Sequence, residues 1–180
     1  MKVKDMSDAE EIIKLARRAV EIYIGEDKLL DVPSELSACL RRRAACFVSI
    51  KTEDGELRGC IGTIEPIHKM LAEEIIANAA SAATRDPRFP PVSILELPRL
   101  LYSVDVLSEP ELAQFEELDP KTYGVIVEDE AGLRRGLLLP DIEAVSTAMQ
   151  QVDIAARKAG ILPNAPLKLY RFRVERYRAY

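Results

Sequence analysis

Apolar residues recur at helical spacing early in the chain. Ile12, Ala16, Ala19 and Tyr23 share one face with Ile13 and Val20, while Glu10, Lys14, Arg17, Arg18 and Glu21 take the other. The pattern predicts an amphipathic helix, with Ser7-Asp8-Ala9-Glu10 as its capping box and Gly25 as its terminator. A polar linker follows over 26–39. The pattern then shortens to β-forming runs at 44–51 and 56–63, separated by the turn residues Thr52-Glu53-Asp54-Gly55, which predicts a hairpin. Helical spacing returns over 68–83, where Leu71, Ile75, Ala79 and Ala82 align, and Glu73 and Glu74 suit the positive end of the helix dipole.

Arg85-Asp86-Pro87-Arg88-Phe89-Pro90-Pro91 interrupts all periodicity. Its prolines fix φ and remove donors, so it reads as a rigid connector. Residues 99–107 alternate as a strand, 125–127 and 136–139 flank a turn as a second hairpin, 146–158 reads as a helix ending at Gly160, and 167–177 as a final strand. Strands arrive mostly in hairpins, with helices inserted singly. The expected class is therefore α+β, a mainly antiparallel sheet with packed helices, over one domain spanning 1–180.

Composition narrows the partners. A net charge of −5 gives no long-range attraction to nucleic acid or an anionic membrane, although a local basic patch remains open to RNA. Cys39, Cys46 and Cys60 are odd in number and show no paired spacing, and the charged start of the chain lacks the apolar core of a signal peptide. The expected location is cytoplasmic, with reduced thiols. No metal-ligand spacing, P-loop or dinucleotide fingerprint is present, so no cofactor is expected.

The candidate chemistry centres on Leu57-Arg58-Gly59-Cys60-Ile61-Gly62. Regular strand alternation puts Arg58 and Cys60 on one face, roughly 7 Å apart. A guanidinium there favours thiolate, and Gly59 and Gly62 leave room for a ligand or another backbone. Cys60 is thus a candidate catalytic or ligand-contacting residue; the alternative is a cysteine packed like a small hydrophobe beside bulge glycines. His68, the only histidine, is a candidate base for Cys60 or a solvent-facing residue at a helix start. Arg85 and Arg88 either clamp an anion or hold the connector through Asp86. The final strand alternates Tyr170, Phe172 and Val174 with Arg171, Arg173 and Glu175, followed by Arg176 and Arg178, which fits either an RNA-binding stripe or a half-buried strand with a solvated face.

Leu57-Arg58-Gly59-Cys60-Ile61-Gly62-Thr63 resembles the signature of the AMMECR1 domain family. Ala82-Ala83-Thr84-Arg85-Asp86-Pro87-Arg88-Phe89-Pro90-Pro91 resembles its second motif. The strand ending in Leu107-Ser108-Glu109-Pro110, then Gly124-Val125-Ile126-Val127, Leu137-Leu138-Leu139-Pro140 and Arg157-Lys158-Ala159-Gly160, continue the likeness in order. The resemblance implies an AMMECR1-like fold of two unequal lobes with a cleft near the signature. It implies binding residues among Arg58, Gly59, Gly62, Arg85, Asp86 and Arg88, and a role beside Memo-like and radical S-adenosylmethionine proteins in a modification pathway. RNA-related roles are a further implication, and His68 is outside the signature. Length and composition, with few Asn and Gln, point to a prokaryotic, thermophilic source.

Overall fold

The first amphipathic stretch forms α1, Met6–Glu26, in the computed structural model, which describes residues 6–178. The helix already includes Ser7, whose side chain lies outside the described residues, and with it the predicted cap. The helix also runs past Gly25. Asp27 takes the left-handed conformation at φ 51° and its N–H donates to the Tyr23 carbonyl at 3.0 Å. A short polar side chain tolerates that conformation, so glycine is not needed. A single further turn, α2, Ala38–Arg41, ends the linker.

The first hairpin is β1, Cys46–Lys51, with β2, Leu57–Gly62, around Gly55 at φ 84°. Then comes α3, Leu71–Thr84, which starts later than the periodicity suggests. The cause is its own acidic first turn. Glu73 accepts the N–H groups of Lys69 and Met70 at 3.1 and 3.0 Å, and Glu74 those of Ile67 and His68 at 3.0 and 2.9 Å. Those carboxylates hold 67–70 as a loop, and Glu74 also accepts from the Thr63 hydroxyl although it is wholly buried. Buried charge is tolerated where it is this fully bonded.

The remaining strands are β3, Leu101–Leu107; β4, Glu111–Leu112; β5, Gly124–Asp129; β6, Arg135–Leu138; β7, Leu167–Phe172; and β8, Val174–Arg178. α4, Ala148–Lys158, is capped by Thr147, which exchanges hydrogen bonds with Gln150. The final strand predicted as continuous over 167–177 is broken at Arg173, and its halves join different sheets, ordered β2-β1-β3-β8 and β4-β7-β5-β6. At the break, Arg173 N–H donates to the Ser108 hydroxyl and its carbonyl accepts from Ser108 N–H, both at 2.9 Å. A side chain thus replaces one rung of the ladder, and β8 departs to pair with β3.

The fold is α+β with antiparallel pairing, as expected. Its contacts divide it into two units, Met1–Val106 with Arg176–Tyr180, and Leu107–Glu175. In the first, one sheet face (Val48, Ile50, Val104 and Val106) is buried with Ile12, Ala16 and Ala19 of α1 and Leu71, Ile75, Ala79 and Ala82 of α3. The other face carries Phe47, Ser49, Ser103, Asp105 and Cys60. In the second, Val125, Val127 and Leu138 pack with Val152 and Ala155 of α4. Gly136 is required there, because a Cβ would strike the Ala155 carbonyl.

Candidate functional site

The signature strand β2 is the edge of its sheet. Its register against β1 runs Val48↔Ile61, Ser49↔Cys60 and Ile50↔Gly59, then shifts so that Lys51 faces Leu57. Arg58 is the extra residue of this bulge. Bulges re-aim side chains, and the consequence corrects the expected pairing of Arg58 with Cys60. The Arg58 guanidinium instead binds Glu96 through Nε at 2.7 Å and Nη2 at 3.2 Å. It also donates to the carbonyls of Pro90 and Pro91 at 3.0 and 3.3 Å. Arg58 therefore fastens the proline connector to the strand. In return it holds the Glu96 carboxyl down, to about 2.

Asp86 completes the attachment. It is buried, and its Oδ2 accepts the Cys60 N–H, an outward-pointing amide of the edge strand, at 2.9 Å. Arg88 folds back on the same carboxylate, donating from Nε at 2.9 Å, Nη2 at 2.7 Å and its own N–H at 3.1 Å. These bonds, the Arg88 fork first, hold the Asp86 carboxyl well below the usual carboxylate range. An unpaired edge amide is a template for another strand, and here a carboxylate covers it.

Cys60 is half-buried. Its sulfur accepts from the Ser49 hydroxyl at 3.1 Å, with Ser103 the next residue across on β3. Burial pushes the thiol up; the Ser49 bond and the charge of Arg88 pull it back only partly. The protonated thiol is thus favoured, contrary to an arginine-activated thiolate, and the cation that acts on it is Arg88 and not Arg58. No hydrogen bond links His68 to Cys60 among the described residues; the His68 N–H belongs to Glu74. Cys46 is wholly buried and its thiol is pushed up to about 12.

The space beside the signature glycines is filled by the protein itself. A Cβ on Gly59 would strike the Ala82 carbonyl of α3, and one on Gly62 would strike the Phe47 ring and the Cys46 carbonyl. Arg85 is parted from Arg88: it lines a separate groove of about 190 Å³ with Tyr23, Leu29 and Ala77. Of the arginines near the end of the chain, Arg171 and Arg176 are held by carboxylates, while Arg173 donates to the Tyr123 hydroxyl. Arg171 meets Glu111 at 3.4 Å and Glu117 at 3.7 Å, and Arg176 holds buried Asp105 at 2.7 and 3.1 Å. Neither Ser49 nor Glu96 stands out in the sequence, and Glu74, expected at the start of α3, also holds the preceding loop through Ile67, His68 and Thr63. The turn at Thr52–Gly55 set the hairpin, but the bulge moved its register by one and brought Ser49 opposite Cys60. Among the described residues no three of His, Cys, Asp and Glu gather to hold a metal ion, and no helix is long and apolar enough to cross a membrane.

Comparison with known proteins bears on this arrangement as a whole. A protein of Thermotoga maritima is 51% identical over 172 residues, covering 92% of this chain and 96% of its own length. Protein CA_C1420 of Clostridium acetobutylicum is 44% identical over 168 residues, and the chain spans 35% of its length. The crystal structure of the uncharacterized protein PH0010 from Pyrococcus horikoshii superposes with a TM-score of 0.86 at 33% identity, covering 98% of this chain and 93% of that one. The AMMECR1 family model matches residues 13–179, across both units, and the chain belongs to the AMMECR1 family.

Proposed function

We propose that this chain is a partner-binding component of a modification pathway, acting with Memo-like and radical S-adenosylmethionine proteins, and that the surface around Cys60 recognises a partner without reacting. The state of the Cys60 thiol carries this reading. Burial raises it, Ser49 donates to it, and Arg58 is committed to Glu96. A nucleophile needs the opposite environment, a depressed pKa or an adjacent base. What the face does offer is a row of hydrogen-bonding groups, Cys60, Ser49 and Ser103, bordered by the exposed Arg88. A protein partner is favoured over RNA because the chain carries a net charge of −5 and two of its last arginines, Arg171 and Arg176, are already held by carboxylates.

Two measurements test it. In a Cys39→Ser background, iodoacetamide labelling of Cys60 should rise with pH only above the ordinary thiol value of roughly 8.5. Coprecipitation of the Memo-like protein should survive Cys60→Ser and weaken with Arg88→Ala. A labelling midpoint below that of a free thiol, or loss of the complex in a folded Cys60→Ser protein, would overturn the reading.

A further inference from the structure

The second unit carries an open groove of about 470 Å³ whose wall includes Ser108, Glu109, Glu111, Tyr123, Arg171 and Arg173. Its centre is built by close approach. The Phe172 ring occupies the place a Cβ on Gly124 would take, so β5 and β7 close tightly and Tyr123 projects from the end of β5. Arg171 and Arg173, two residues apart, both reach the Tyr123 ring, with guanidinium carbons 4.8 and 4.5 Å from its centroid. Arg173 Nη2 also donates to the Tyr123 hydroxyl at 2.7 Å.

The charges divide unequally. Arg171 is paired with Glu111 and, behind it, Glu117. Arg173 has only the neutral phenol, and neither it nor Glu109 forms an ion pair among the described residues. Ser108 keeps the two apart yet adjacent: it pairs with Arg173 through its N–H and its hydroxyl oxygen, while its hydroxyl hydrogen goes to the Glu109 carbonyl at 3.2 Å. One groove therefore presents an oriented cation and a separate free carboxylate. With Glu111 and Arg171 included, its wall is neutral in sum, so a simple anion or cation gains little from it. A dipolar ion gains at both ends.

We propose that this groove binds a free α-amino acid, its carboxylate on the remaining donors of Arg173 and its ammonium on Glu109. The inference lies wholly in the second unit and does not depend on the Cys60 surface. The test is saturation-transfer NMR and calorimetry on the intact chain. The probes are glycine, L-alanine, L-leucine, L-glutamate and L-arginine, with the matching decarboxylated amines and N-acetyl derivatives as controls. At least one amino acid should bind with a Kd below about 1 mM, and both kinds of control should bind about tenfold more weakly or worse. Arg173→Gln and Glu109→Gln, with unchanged circular dichroism, should each weaken binding about tenfold or more. The proposal is overturned if no probe binds below about 10 mM, if an N-acetyl derivative binds as well as its parent, if either variant leaves affinity unchanged, or if inorganic phosphate binds more tightly than every amino acid.

Discussion

Asp86→Asn separates the connector's attachment from its shape, since the two side chains are nearly isosteric. The native carboxylate accepts one bond from the Cys60 amide and three from Arg88 while buried. The amide keeps one acceptor oxygen and aims an NH₂ at a donor. Hydrogen bonds to a charged group contribute about 1.5–3 kcal/mol each, and breaking a buried ion pair costs about 3–5 kcal/mol. Arg88, however, has 55% of its side chain exposed and rehydrates when released. The loss should therefore lie at the low end, about 2–3 kcal/mol at pH 7. For a chain of this size that is a fall in Tm of about 5–10 °C.

The pH dependence follows from the same group. A depressed folded pKa contributes stability that is complete above the unfolded value of about 3.9 and is lost as pH falls through the folded one. The gap between wild type and variant should thus be constant from pH 7 to about 5 and close progressively below. Urea denaturation at several pH values measures it, and hydrogen exchange at the Cys60 amide localises it, since that N–H loses its carboxylate acceptor. A loss under about 0.5 kcal/mol at pH 7, unaltered exchange at Cys60, or a gap that widens in acid would refute the reasoning.

Gly59→Ala should cost about 1–3 kcal/mol or more by chemical denaturation, because its Cβ meets helix backbone that cannot yield like a side chain; a neutral effect would remove the packing account of this glycine. Glu74→Ala leaves the amides of Ile67 and His68 and the Thr63 hydroxyl without their acceptor, so a loss of about 2–4 kcal/mol is expected, with faster exchange at Ile67 and His68. Arg58→Ala should loosen the proline connector, read as faster proteolysis at 87–96. In a double-mutant cycle with Glu96→Ala the coupling should stay near or below about 1 kcal/mol, since Glu96 is 37% exposed and screened by water.

Much of this protein was legible in its periodicity. The buried faces of α1 and α3 are those the spacing picks out, whereas β3 is buried on both faces from Val104 to Leu107, and the turns close at glycines with positive φ, Gly55 and Gly132. These features depend on neighbours within a few residues, where backbone sterics and apolar spacing act directly. The signature identified the family for the same reason: a local string is complete in itself. The site was legible only as a set of residues. Pairing across it joins Cys60 to Asp86, 26 positions away, and Arg58 to Glu96, 38 positions away. One inserted residue in β2 decided which side chain Arg58 would meet, and one rung supplied by Ser108 divided the last strand between two sheets. Such outcomes turn on ångström-scale register between distant segments. Periodicity alone places the long helices, the hairpins and the rigid connector; only packing makes Arg58 and Asp86 bind that connector to the edge strand and lets burial raise the Cys60 thiol, because desolvation and long-range hydrogen bonding exist only once those segments have packed.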